Sequence, residues 1–137
     1  MLTQERLSVY GEKKREYSHP TNHFDKAIKI AKDLDIDNTT LATILCMSEA
    51  IIFQHKNGDP VSTLSDKSHH LLLLLIDVHT YLNSISNGDI SFERQWIKME
   101  NDYLGEAPIL IMRFPNGLDK ILEYLKNRSP SLNRVTL

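Results

Sequence analysis

The sequence predicts an all-α protein, and three observations carry that reading. Apolar residues recur at intervals of three and four over most of the chain, as they do on one face of a helix. No stretch alternates apolar and polar residues with the period of two that a half-buried strand needs. The turn-forming residues fall between the periodic stretches, at Asn57-Gly58-Asp59-Pro60, Asn87-Gly88-Asp89 and Ser129-Pro130.

Size and composition bound the possibilities. A chain of 137 residues with 41% hydrophobic and 25% charged side chains is one ordinary domain with enough apolar content for a core. The longest apolar run, Leu71 to Ile76, is far short of the roughly 20 residues that span a bilayer. Met1 to Arg6 lacks the apolar stretch of a secretory signal, and Cys46 has no second cysteine to pair with or to share a zinc ion. A cytoplasmic location is expected. The net charge of −2, spread without a basic tail or an acidic run, argues against indiscriminate nucleic-acid binding.

Each element follows from local pattern. Residues 1–20 are charged with few apolar anchors and are expected to form an arm. From Phe24 a helix is expected through Ala27, Ile28, Ala31 and Leu34. Asp37 or Asn38 then caps a short helix carrying Leu41, Ala42, Ile44 and Leu45. Ser48 caps a third, with Ile51, Ile52 and Phe53, which closes region 21–60. A long central helix fills 61–88, starting at Ser62 or Ser65. Its stripe is Leu71, Leu74, Leu75, Val78, Leu82 and Ile85, widened by Leu72, Leu73 and Ile76, so burial on several sides is expected. Over 89–128, helices are expected near Ser91–Asn101 with Phe92, Trp96 and Met99, from Pro108 to about Phe114, and from Gly117 to Asn127. Residues 129–137 are a tail.

The first three helices fit the spacing of a helix-turn-helix. Ala42 supplies the small residue in the first helix, Cys46 falls at the tight turn, and Ile52 supplies the β-branched residue that locks the second helix. Cys46 stands where glycine is usual, so a strained positive φ is expected. Should this unit read DNA, Glu49, Ala50, Gln54, His55 and Lys56 are its exposed positions. Gln54 could pair with adenine, and Ser48 or Lys56 could hold phosphates. The unit has no arginine for guanine, and Glu49 repels the backbone.

No enzyme is expected. His19 and His23 have a chelating interval but Pro20 between them and no obvious third ligand, so no metal is expected. His69 and His70 point in different directions, and His79 beside Asp77 makes no defined acid–base pair. Cys46, set in an apolar helix, reads as an inert core thiol. The five glycines form no phosphate loop, and no cofactor is expected.

The segment WIKMENDYLGEAPILIMRFPNGLDKILEYLKNR, Trp96 to Arg128, carries a denser pattern. Trp96-Ile97, Asn101, Leu104-Gly105, Pro108, apolar Ile109 to Met112, Gly117, Ile121, Leu125 and Arg128 follow one another. This pattern resembles the toxin-binding domain of the Xre–MbcA–ParS antitoxins. The order of elements from residue 24 onward is also similar, with an Xre-like helix-turn-helix ahead of a long helix. Glu100 and Glu106 replace a Pro and a Gly of that family. The resemblance implies a type II antitoxin whose small C-terminal helical domain, 89–128, blocks the NAD site of a cognate toxin. That toxin would be an NAD-consuming or ADP-ribosylating, RES-domain-like protein. The resemblance also implies a homodimer that in many relatives represses its own operon by binding operator DNA. Trp96, Leu104, Gly105, Pro108 and Gly117 read as architectural. The exposed rim expected to touch the partner is Asn101, Asp102, Tyr103, Glu106, Arg113, Lys126, Arg128 and the tail through Arg134. The alternatives are a stand-alone helix-turn-helix regulator and an interaction protein without DNA activity.

Overall fold

A computed structural model describes residues 20–59 and 64–129. The expected arm up to His19, Ser62 as a start of the central helix, and the tail with Arg134 lie outside the described residues. Within them all regular structure is helical: α1 (Pro20–Asp33), α2 (Asn38–Leu45), α3 (Glu49–Lys56), α4 (Asp66–Ser86), α5 (Ile90–Lys98), α6 (Pro108–Ile111) and α7 (Gly117–Lys126). No strand occurs among the described residues, so the all-α expectation holds.

The long helix α4 is the centre of the packing, with α1, α2, α5 and α7 against it. Ser65 caps it by accepting from the Ser68 N–H at 3.0 Å. Its most buried line is Ser68, Leu72, Leu75, Val78 and Leu82. Leu71 and Leu74, expected on that line, are half-buried, and Ile85 is exposed. Four neighbouring helices spread burial around α4, so its innermost line cannot be read from hydropathy alone. No described helix is long and apolar enough to cross a membrane.

α1 starts at Pro20, earlier than the apolar period suggests, and buries Phe24, Ala27, Ile30 and Ala31, with Leu34 buried just past its end; Ile28 is only half-buried. Beyond its end, Asp35 takes a left-handed φ of 60° and the Ile36 N–H returns to the Ala31 carbonyl at 2.8 Å. Asp37 then caps α2, its carboxylate accepting from the Thr40 N–H at 2.8 Å. That hydrogen bond, more than any other influence, holds the Asp37 carboxyl below the usual carboxylate range.

Cys46 ends α2 at φ 58°, ψ 45°, the left-handed turn expected there. The N–H of Met47 reaches the Ala42 carbonyl at 3.0 Å across this turn. Cys46 is nonetheless exposed and not a core thiol, because it sits past the last helical residue of α2. Ser48 caps α3, and the buried Ser68 hydroxyl donates to the Cys46 carbonyl at 3.1 Å, fastening the turn to α4.

Of the C-terminal helices, α5 and α7 pack on α4, and α5 also reaches the turn after α1. α5 begins at Ile90 behind an Asp89 cap and stops at Lys98, three residues short of the expected end. Its buried positions are Glu93 and Ile97, while Phe92 and Met99 are exposed. α6 is a single turn that opens with Pro108 and ends before Phe114. α7 buries Leu118, Ile121, Leu122 and Leu125. At its start Gly117 crosses the end of α6 so closely that a Cβ would lie 1.8 Å from the Ile111 carbonyl oxygen. Only glycine fits there.

Candidate functional site

On α3, most of the residues expected to be free are engaged. Ser48 uses its hydroxyl as the helix cap. Glu49 accepts from the Thr39 hydroxyl at 2.6 Å, and Lys56 donates to the Asn38 side chain at 2.7 Å. His55 is not an outward-facing position: its ring stacks on Phe24 with centroids 4.4 Å apart and pairs with Asp25 of α1. Ala50 and Gln54 are exposed beside Phe53, which is 60% exposed. The free outer face of α3 is thus apolar and neutral more than cationic. Ala42 and Ile52 are buried, as the spacing requires.

The C-terminal site is built around a loop that Asn101 knits. Its backbone N–H donates to the Glu106 carbonyl at 3.2 Å, and its own carbonyl accepts from Gly105 at 2.8 Å. Its side-chain oxygen accepts from the Leu104 N–H at 3.0 Å, while its Nδ2 donates to the Tyr124 hydroxyl at 3.3 Å. Asn101 is therefore half-buried and fully occupied, not a free rim residue. Gly105 holds φ +89° inside this loop and not at the end of a helix, since α5 has already stopped.

The loop sets Tyr103 against Tyr124 of α7, with ring centroids 5.2 Å apart. Trp96 also meets Tyr124, with ring centroids 6.2 Å apart, linking α5 to α7. Arg128 lies over both tyrosine rings. Tyr124 is the residue that sequence reasoning missed. Its signal was present: Lys120, Tyr124 and Arg128 are spaced four apart and share one face of the last helix and its end.

The other expected rim residues are not brought into this cluster. Glu106 lines a neighbouring shallow depression with Phe114, Asn116 and Asp119. Arg113 lies near enough to Asp37 to favour its ionised form, which places it toward the start of α2. Lys126 is exposed on α7 and Asp102 on the loop.

A polar constellation that the sequence did not announce lies between α4 and α5. Glu93 is fully buried; one oxygen accepts from the Ser86 hydroxyl at 2.5 Å, and the other stands 3.6 Å from Nε2 of His79. The second oxygen has no hydrogen-bond partner. No group of three or more metal-ligating side chains forms among the described residues. A scan against protein-family models gives no match, and a search of curated proteins finds none that matches.

Proposed function

We propose that this chain is the antitoxin of a type II toxin–antitoxin pair, acting in the cytoplasm as a homodimer. Its C-terminal helices cover the NAD site of a RES-like toxin, and its α2–α3 unit, an Xre-like helix-turn-helix on this reading, contacts operator DNA. The observation that carries the reading is the Tyr103, Tyr124 and Arg128 surface on the Asn101 loop. Exposed tyrosine and arginine are the side chains that dominate protein–protein contacts. The residues that resemble the antitoxin pattern also meet stereochemical demands in this fold: Asn101 ties the loop, Gly105 supplies a positive φ, and Gly117 permits a close crossing.

Co-expression with the product of the adjacent reading frame tests the reading. The pair should co-purify, the chain should restore growth, and it should suppress NAD consumption by the partner. A partner that neither binds nor consumes NAD sinks it. The α2–α3 assignment is separable by gel shift on the chain's own promoter. Replacing Gln54 and Lys56 together with Ala should abolish the shift and spare partner binding. The left-handed turn at Cys46, between buried Ala42 and Ile52, supports the helix-turn-helix geometry that this assignment needs.

A further inference from the structure

Arg128 is exposed, and its guanidinium carbon stands 3.9 Å from the Tyr124 ring centroid and 5.1 Å from that of Tyr103. Two aromatic faces at that range restrain a side chain that would otherwise sample many rotamers. The guanidinium nevertheless makes no hydrogen bond or ion pair with any described residue. Its planar set of donors is held in place, with no partner among the described residues.

The surroundings say what would fill it. Arg128 borders a notch of about 280 Å³ together with Lys120, Glu123 and Asn127. Lys120 and Arg128 outnumber Glu123 among its lining residues, so the notch carries a net positive charge. Trp96, in ring contact with Tyr124, borders a second, mainly apolar notch of about 170 Å³ together with Phe92 and Met99. Met99 is 62% exposed and Phe92 43%. Large apolar side chains exposed around one notch at the end of α5 are the kind of surface that a partner covers.

We propose that Arg128 is the receptor for a carboxylate on a partner protein, and that the neighbouring notch takes an apolar side chain of the same segment. A forked, planar donor set matches a carboxylate in bidentate fashion. A nucleic-acid strand fits worse, because its charge repeats along the backbone and would bring phosphates against Glu100 at the apolar notch as well, whereas a single carboxylate has to meet only Arg128. The identity of the partner as a toxin rests on the antitoxin reading; the chemistry of the recognised segment does not.

Panning a random dodecapeptide display library on the immobilised full chain tests this. Enriched peptides should combine Asp or Glu with a large apolar residue. Arg128→Ala should weaken them by ~10-fold or more, as truncation of an arginine anchor at an interface does. Arg128→Lys should recover part of the loss, since it keeps the charge without the fork. Thermal melts matching the parent would show that the variants fold. Enrichment of peptides lacking carboxylates, no enrichment, or affinities unchanged by Arg128→Ala would overturn the proposal. So would competition by single-stranded oligonucleotides. Should acidic peptides bind through Arg128 while the adjacent gene product does not, the antitoxin reading fails and this inference stands. Should that product bind equally well to Arg128→Ala, the inference fails and the antitoxin reading stands.

Discussion

Cys46 and Gly117 occupy backbone positions with opposite tolerances. At φ 58° Cys46 bears the steric cost of an L-residue in the left-handed region, roughly 1–2 kcal/mol before any compensation. Cys46→Gly should therefore raise the urea midpoint, and Cys46→Val should lower it, because a β-branched side chain tolerates that conformation worst. Gly117 has no such latitude. Gly117→Ala drives a methyl into the Ile111 carbonyl and should lower stability by about 2–3 kcal/mol in denaturant titration, the scale of core overpacking. Both demands were visible in the sequence, one through the interval from Ala42 to Ile52 and the other through a glycine opening an apolar period. The role of Asn101 was half visible. Its type suits a loop, but nothing local tells that its amide would be spent on Leu104 and Tyr124.

Among the elements, those with strong end signals were legible and those defined by long-range packing were not. Asp37, Ser48 and Ser65 cap the helices they precede, since capping is a contact between residues three apart. Ser65→Ala should cost about 1 kcal/mol in a thermal melt, as cap removal typically does. The orientation of α5 was hidden because its partners are distant in sequence. Arg94 donates to the Asp33 carbonyl at 2.6 Å and Lys98 to the Asp35 carbonyl at 2.9 Å, fixing which side faces α1. That rotation puts Glu93 inside and Phe92 outside, against the hydropathy order. The α1–α4 contact carries a pH dependence. His23 of α1 lies 5.6 Å, ring to ring, from His69 of α4, and burial, aided by His69 and Lys26, holds the His23 imidazole below its ordinary 6.5. A lowered value in the folded chain means that the unfolded chain binds more protons just below 6.5. Stability should therefore fall as pH drops through that value and level off once the folded chain is protonated too. Urea midpoints at about pH 7.5 and about pH 5.5 should differ, and His23→Gln should narrow the difference.

At the scale of the whole molecule, one helix serves as the common wall for two surfaces of different character. α4 holds the α2–α3 turn through Ser68 and the aromatic cluster through α7. The net charge of −2 suits a body whose contacts are local and specific. Removing the straps from α5 tests how firmly the two surfaces are joined. Arg94→Ala combined with Lys98→Ala should speed amide exchange in the turn after α1 and leave α7 unchanged, as mass spectrometry would read segment by segment. The placement of Trp96 has a practical consequence. It is the one tryptophan in the chain, half-buried beside Tyr124 and bordering the apolar notch. The molecule therefore carries its own fluorophore at the surface where a partner would land. Docking there should shift the emission toward the blue as the indole loses water, and unfolding should shift it toward the red. Occupancy and denaturation thus give opposite signals from one unlabelled side chain.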